Sequence, residues 1–196
     1  YTGGFCVVFP FVVPNKKIAV RCWHAKLEGA EERTRIIAKA LAKIKLPYFV
    51  NFEYVADGII VNGSLYPIVV MDWVEAKPLK EYISDHINDS KCLETLADNF
   101  LEMAKQLHEN NLAHGDLQHG NIMVKADGSL VLVDYDSMYV PELDGWADEI
   151  RGLVGYQHPA RWDNQYLSPK ADYFSELVIY TSIKALAAKP ELWEKL

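Results

Sequence analysis

The pattern of apolar residues changes once along the chain, near residues 74–78, and this change constrains the fold more than any other feature. Before it, β-branched and aromatic stretches separated by turn residues such as Pro14-Asn15 and Asn62-Gly63 predict strands. One helix is predicted in this part, from about Leu27 to Lys45, because apolar residues there recur at helical spacing. The predicted strands cover residues 5–13, 17–23, 49–55, 59–61 and 66–73.

After the change, helical patterns dominate. Two helices are predicted first, the second with an apolar stripe along one face, and a last helix lies near the end of the chain. Between them lies an irregular segment, residues 134–169, and irregular segments of that length are often functional. The predicted helices cover residues 79–87, 92–110 and 171–188, and two short strands cover residues 122–124 and 130–133. The sequence therefore predicts an α+β fold in two parts.

Composition argues against several functional classes. Half of the 196 residues are apolar and the net charge is −7, which predicts a packed globular body and gives no basic stripe for nucleic acid. No apolar run approaches the roughly 20 residues that a membrane-spanning helix needs. The cysteines Cys6, Cys22 and Cys92 have no metal-ligand spacing, which predicts free thiols in a reducing cytoplasm. Composition leaves the oligomeric state open.

The densest polar cluster, His114 to Asn121, lies between the long helix and the two short strands. Asp116 and Asn121 are five residues apart, and the second short strand is followed by Asp134. Mg²⁺ prefers hard oxygen ligands, and phosphoryl transfer requires metal ligands together with a carboxylate aimed at a hydroxyl. The alternative interpretation is a buried, hydrogen-bonded histidine beside two carboxylates in turns.

The stretch His114-Gly115-Asp116-Leu117-Gln118-His119-Gly120-Asn121 resembles the catalytic loop of the protein-kinase superfamily, His-x-Asp-x-x-x-x-Asn. Asp134 resembles the metal-binding aspartate of its Asp-Phe-Gly motif. The resemblance implies a bilobal kinase-like fold, with a small β-rich N-lobe over residues 1–74 and a mainly helical C-lobe over residues 75–196. The motif spellings are similar to a bacterial branch of atypical serine/threonine-kinase-like proteins. The implied cofactors are ATP and Mg²⁺, the implied catalytic residues Asp116 and Gln118, and the implied metal ligands Asn121 and Asp134.

The first part of the chain resembles the nucleotide-binding half of a kinase. Residues 1–8 resemble the end of the glycine-rich loop, where the absence of a Cβ lets the backbone approach a phosphate. Residues 18–21 resemble the strand that ends in the phosphate-contacting lysine, and residues 68–74 resemble the last N-lobe strand and hinge. The implied ATP-binding residues are Gly3, Gly4, Arg21, the gatekeeper Met71, and the backbone of Asp72 and Val74.

Two later segments extend the resemblance. Gly155 to Pro159 resembles the segment that closes the activation loop, with Pro159 at the proline of Ala-Pro-Glu. Asp172 resembles the aspartate that opens a helix and hydrogen-bonds the backbone of the catalytic loop. Kinase domains continue with further helices beyond the last one predicted here, so the sequence is either a minimal form or lacks a C-terminal part.

On the ATP side the sequence departs from the family. Arg21 stands at the lysine position, and an arginine can still hold phosphate, although the exchange is not conservative. The glutamate that pairs with that lysine falls at Ile37. Glu31 or Glu32 could reach Arg21 only if the helix is shifted by more than a turn, so the usual ion pair is predicted to be absent or rebuilt.

Three further departures lie near the catalytic loop. Gly115 replaces the arginine that reads a phosphorylated activation loop, so control of that type is not expected. Gln118 replaces a lysine and would neutralise less charge in the transition state. Asp136 stands in place of the glycine of Asp-Phe-Gly, where it either binds metal or caps a turn.

Three functions fit these residues. The first is an ATP-dependent kinase that transfers the γ-phosphate to a protein serine or threonine hydroxyl. The second is a pseudokinase that binds nucleotide as a scaffold or regulator, which Arg21 and Ile37 favour. The third is a small-molecule kinase of the aminoglycoside or choline type, favoured by His114-Gly115-Asp116 but opposed by the segment from Tyr156 to Pro159. The expected partners are ATP and a protein or small-molecule hydroxyl acceptor.

Overall fold

A computed structural model describes residues 6–24 and 29–195 of the chain. The chain divides into two compact units, Tyr1–Val74 and Glu75–Leu196, and each is described by itself. The first unit holds a sheet and one helix, and the second is mainly helical with a small sheet. The predicted α+β fold is confirmed.

The first unit contains a four-stranded antiparallel sheet with the strand order β1-β2-β4-β3. Its strands are β1 (Cys6–Val13), β2 (Lys16–Trp23), β3 (Phe52–Val61) and β4 (Ser64–Asp72). The two strands predicted over residues 49–55 and 59–61 are a single strand, because β3 continues through a register shift between Val55 and Ile59. Gly58 lies at this shift, where a Cβ would come within 2.2 Å of Ile68 Cγ1. The pairing therefore needs a residue without a side chain there.

Helix α1 (Ala30–Lys43) connects β2 to β3. It follows Gly29, whose φ of 73° suits glycine, and it ends where Ile44 becomes extended. The predicted start at Leu27 lies outside the described residues. The apolar face of α1 is buried and includes Ile37, Ala38, Ala40 and Leu41.

In the second unit the helices are α2 (Leu79–Asp85), α3 (Ser90–Glu109) and α4 (Tyr173–Ala188). Asp89 caps α3 by accepting a hydrogen bond from the Cys92 N–H at 3.0 Å, which satisfies one of the free donors at the helix start. The apolar stripe predicted for α3 is buried, and α3 packs against α4. That stripe consists of Leu93, Leu96, Phe100, Met103 and Leu107.

A small antiparallel sheet follows α3 and contains β5 (Lys77–Pro78), β6 (Ile122–Val124) and β7 (Leu130–Leu132). The β6–β7 hairpin turns at Asp127, whose side chain accepts hydrogen bonds from the N–H and the hydroxyl of Ser129. The sequence predicted the two strands of this hairpin but not β5, which is only two residues long.

The segment over residues 134–169 is irregular but well anchored. It contains three short 3-10 turns, Pro141–Leu143, Val154–Tyr156 and Pro159–Asp163. Several of its apolar side chains, such as Met138 and Val140, are fully buried. No helix among the described residues is long and apolar enough to cross a membrane.

Candidate active site

The loop from His114 to Asn121 is held against the end of β7 by a buried histidine. His114 Nε2 lies 3.0 Å from the carbonyl oxygen of Val133, and its ring meets the buried Tyr135 ring edge-on. Since a carbonyl oxygen can only accept, Nε2 carries the proton. This bond fixes Val133, which immediately precedes Asp134, relative to His114, which lies two residues before Asp116.

A buried carboxylate holds the same loop from the other side. Asp172, directly before α4, accepts hydrogen bonds from the backbone N–H groups of His114 and Gly115, the second at 2.8 Å. The predicted contact between Asp172 and the loop backbone is confirmed. Burial raises the pKa of Asp172, while His114 and the two N–H donors act in the opposite direction. Loss of the carboxylate would leave two buried donors unsatisfied.

The carboxylate of Asp116 is oriented at both oxygens. Asn121 Nδ2 donates to Oδ2 at 2.9 Å and to the backbone carbonyl of Asp116 at 2.9 Å. The N–H of Leu153 donates to Oδ1 at 2.9 Å. A carboxylate held in this way has little rotational freedom, which suits a group that must meet an acceptor hydroxyl in one geometry.

Gln118, the second residue predicted to be catalytic, contacts its own turn. Its side-chain carbonyl accepts a hydrogen bond from the Gly120 N–H at 2.7 Å. Asn121 N–H closes the same turn onto the Gln118 backbone carbonyl. The contact that the structure describes for this side chain therefore shapes the loop.

Asn121 and Asp134, the predicted metal ligands, are brought near each other by the backbone. The Val133 N–H donates to the Asn121 carbonyl oxygen at 3.0 Å, so Asp134 follows directly after a residue paired with Asn121. Asp134 is exposed and has a φ of 67°, an uncommon conformation for a residue with a side chain. Asp136 lies in the turn closed by the Met138 N–H on the Tyr135 carbonyl.

These two residues fit a magnesium ion chemically. Both N–H groups of the Asn121 amide are directed at Asp116, which leaves the amide carbonyl oxygen as the group that can bind a cation. An amide oxygen and a carboxylate are ligands that Mg²⁺ accepts, because it commonly keeps several waters and binds phosphate oxygens. No group of three or more histidine, cysteine, aspartate or glutamate residues suited to a metal occurs within residues 6–24 and 29–195.

Hydrogen bonds join the activation-like segment, residues 134–169, to the catalytic loop. Besides the bond from Leu153 to Asp116, the Tyr156 hydroxyl lies 2.8 Å from His119 Nδ1. Arg161 Nη1 donates to the carbonyl oxygen of Gly115. The segment therefore contacts the loop before, at and after Asp116.

Gly152 makes the approach to Asp116 sterically possible. A Cβ at this position would lie 2.2 Å from Asp116 Oδ1 and 2.6 Å from the buried Gln157 Nε2. Both distances are far below contact distance, so only glycine fits without displacing the carboxylate or the amide. No local pattern around Gly152 predicts this role, because the contact joins residues 36 positions apart.

In the first unit, Arg21 is buried on β2. Its Nε donates to Cys6 Sγ at 2.9 Å, and its guanidinium lies 5.7 Å from the centre of the Trp23 ring. Glu32 forms an ion pair with Arg35 at 2.6 Å, and Glu31 hydrogen-bonds Tyr54. Burial, and then Glu31, raises the pKa of Tyr54.

The remaining predicted nucleotide-binding residues lie at the end of β4. Met71 pairs with Ala19 and Phe52, so the predicted gatekeeper lies inside the sheet. The Asp72 N–H donates to the Asn51 carbonyl, and its side chain pairs with Lys16 at 3.2 Å. Val74 is half-buried just beyond the strand. Gly3 and Gly4 lie outside the described residues.

Glu176, in the first turn of α4, is a second buried carboxylate and lies four residues after Asp172. Burial raises the pKa of Glu176 to about 8, and the negative charge of Asp172 adds to this rise. The Glu176 carboxylate lies 2.9 Å from His108 Nε2 on α3. The protonation state of Glu176 therefore affects the contact between α3 and α4.

Glu176→Gln is expected to remove a pH dependence of stability. Folded Glu176 keeps its proton up to about pH 8, whereas the unfolded group has a pKa near 4.5. The wild type should therefore lose stability relative to the variant between these values, by up to ~1.4 kcal/mol per pH unit. Urea unfolding from pH 5 to 8.5 measures this difference, with the exposed Glu191→Gln as the control. Parallel curves for wild type and Glu176→Gln would contradict the assignment.

The comparisons with known proteins agree with this geometry. The family described as "Protein kinase domain" matches residues 2–193. "Serine/threonine-protein kinase PksC" of Streptomyces coelicolor is 28% identical over 81% of this chain and 29% of its own length. "Probable serine/threonine-protein kinase zyg-1" of Caenorhabditis briggsae is 27% identical over 92% of this chain and 25% of its own. "Mitosis inhibitor protein kinase SWE1" of Candida albicans is 26% identical over 100% and 18% respectively. The chain thus spans less than a third of the length of these relatives.

Proposed function

The chain belongs to the protein kinase family, and on that premise we propose that it transfers the γ-phosphate of ATP to a serine or threonine hydroxyl of a protein. The observation that carries the proposal is the Asp116 carboxylate, oriented at one oxygen by Asn121 and at the other by Leu153. The names of the relatives support serine/threonine specificity.

In the proposed reaction, Asp116 accepts the proton of the acceptor hydroxyl as its oxygen forms a bond to the γ-phosphorus, the bond from the γ-phosphorus to the bridging oxygen breaks, and ADP leaves. The carbonyl oxygen of Asn121 and the carboxylate of Asp134 would hold Mg²⁺, which would neutralise charge on the phosphates when bound. Gln118 shapes the loop by accepting a hydrogen bond from the Gly120 N–H, and we propose that its amide nitrogen is the group that assists catalysis.

For the nucleotide, we propose Gly3 and Gly4, Arg21, Met71, and the backbone of Asp72 and Val74 as the binding residues. Arg21 differs from the family lysine because it is always charged and presents a planar fork of donors. Cys6, Cys22 and Cys92 are not in disulfides, which is typical of a reducing compartment, so we place the reaction in the cytoplasm. The bacterial placement stays a prediction, since bacterial, nematode and fungal kinases all match.

A nucleotide-binding module without transfer is the second candidate. It is supported by Arg21, which bonds a cysteine sulfur, and by Ile37, which is 1% exposed in the core where the family glutamate is expected. A small-molecule kinase is the third, and only the spelling His114-Gly115-Asp116 favours it. The contacts of Leu153 and Tyr156 with the loop support a protein kinase instead.

The test is phosphate transfer from labelled ATP to generic protein substrates, an aminoglycoside and choline, with Mg²⁺ or with EDTA. We expect labelled protein with Mg²⁺ only. Labelling of an aminoglycoside or choline alone would support the small-molecule kinase. Mg²⁺-dependent ATP binding without any transfer would support the binding module.

Asp134→Asn is expected to lower transfer at least about a hundredfold, because the metal supplies several kcal/mol of charge stabilisation in the transition state. Binding of a fluorescent ATP analogue should also lose its dependence on Mg²⁺. The control is Asp127→Asn, a turn aspartate far along the β6–β7 hairpin. Unchanged Mg²⁺ dependence in Asp134→Asn would remove Asp134 from the metal site.

A further inference from the structure

The activation-like segment contains a buried ion pair that the family resemblance does not assign. Asp148 and Arg161 are 5% and 8% exposed, and they form a two-point contact, Nε to Oδ2 at 2.8 Å and Nη2 to Oδ1 at 3.0 Å. Such forked arginine–carboxylate contacts are geometrically specific as well as strong. Asp148 is placed by its backbone, since its N–H donates to the Gln165 carbonyl at 3.0 Å.

The third guanidinium nitrogen of Arg161, Nη1, takes no part in the ion pair and contacts the catalytic loop instead. Nη1 donates to the carbonyl oxygen of Gly115 and to the side-chain carbonyl of Gln157. The N–H of Gly115 is bound to Asp172, so both polar groups of this residue are occupied. Gly115 immediately precedes Asp116, and fixing its peptide groups fixes where the Asp116 side chain begins.

Position 115 is where the family resemblance places an arginine that contacts a phosphorylated activation loop, and in this chain the residue is glycine. The segment from Asp134 to Pro159 contains one serine and no threonine. That serine, Ser137, is 3% exposed. Of its tyrosines, Tyr135 and Tyr139 are buried, and the Tyr156 hydroxyl is bound to His119. Residues 134–159 thus present no accessible serine or threonine for phosphate control, and the catalytic loop has Gly115 in place of the arginine.

We propose that Arg161 is a positioning residue for phosphotransfer, and that Asp148 supplies permanently the negative charge that a phosphate supplies elsewhere. The arginine that contacts this part of the catalytic loop is Arg161 of the activation-like segment. Its anionic partner is the carboxylate of Asp148 in the same chain. The segment is therefore ordered against the loop without phosphorylation. This inference rests on the proposed function only where it speaks of turnover, because the ordering itself is a property of the fold.

The first test compares wild type and Asp148→Asn, in which the shape is kept and the charge is lost. Hydrogen exchange should become faster in residues 113–121 and 148–161, and kcat should fall about tenfold or more with the KM for ATP nearly unchanged. Arg161→Gln should behave in the same way, and the double variant should be no worse than either single one, since the pair acts as a unit.

Arg151→Met is the matched control. Arg151 donates to three carbonyl oxygens, those of Asp148, Trp162 and Asn164, and all three belong to the segment itself. Its loss should speed exchange within the segment but leave residues 113–121 unchanged. Equal effects of the two arginines on the loop would show general loosening, and would overturn the specific role of Arg161.

The second test treats the wild type with phosphatase until its intact mass shows no phosphate. We expect kcat to stay unchanged, and a fall in kcat would overturn the proposal. If the wild type transfers no phosphate at all, the proposed function fails. The exchange comparison then still decides whether Asp148 and Arg161 order the loop, and unchanged exchange in Asp148→Asn would reject the inference by itself.

Discussion

Asp116→Asn is expected to lower kcat for phosphotransfer by about 10²–10⁴-fold, because an amide cannot accept the proton of the acceptor hydroxyl. The magnitude follows from the contribution that a positioned general base makes. Both oxygens of Asp116 accept hydrogen bonds, from Asn121 and from Leu153. The amide replaces one of them with a donor that faces another donor, so a stability loss of about 1–2 kcal/mol is also expected.

The measurement separates these two effects. Steady-state transfer gives kcat, urea unfolding gives stability, and a fluorescent ATP analogue gives nucleotide affinity, which should change little because Asn121 and Asp134 remain. The control is Asp163→Asn, an exposed carboxylate of the same unit, which should leave kcat unchanged. If Asp116→Asn kept more than a tenth of the wild-type kcat, Asp116 would not be the base.

Features that depend on local sequence were predicted well. Strand and helix positions follow from apolar spacing and turn residues, and the stripe of α3 is buried along one face. The hydrogen bonds of Asp172 to the catalytic loop were predicted through the motif. In these cases the physical cause is either short in range or carried by a motif whose geometry is specific.

Features that depend on distant contacts were missed. Arg161 and Asp148 are 13 residues apart in an irregular segment, and only the folded chain shows that one guanidinium reaches both Asp148 and Gly115. The role of Gly152 likewise depends on space beside Asp116. An isolated arginine after Pro159 was the only signal available, and surface arginines are common.

Gly115 links the catalytic loop to the start of the activation-like segment. Its φ is 78°, and a Cβ at this position would lie 2.1 Å from the Ser137 carbonyl oxygen, which is backbone and cannot rotate away. The segment is also held here by a pair of hydrogen bonds between Ala113 and Tyr139. The absence of the family arginine is therefore built into the packing of the backbone.

Gly115→Ala is expected to lower the free energy of unfolding by about 2–5 kcal/mol. Left-handed strain accounts for roughly 1–2 kcal/mol of this, and the overlap with Ser137 accounts for the rest. The variant should also lower kcat at least about tenfold, because the displaced carbonyl oxygen of residue 115 would lose its hydrogen bond from Arg161. Asp116 is the next residue, so its carboxylate would be displaced as well. Urea unfolding and steady-state transfer measure the two effects.

Gly145→Ala isolates the strain. Gly145 has a φ of 79°, lies in the same unit, and would place its Cβ in open space. It should lose only about 1–2 kcal/mol and keep its kcat. Equal losses in the two variants would show that the contact with Ser137 does not matter. Gly115→Arg, which restores the family residue, should be no more active than Gly115→Ala, because the obstacle is the Cβ that both side chains share.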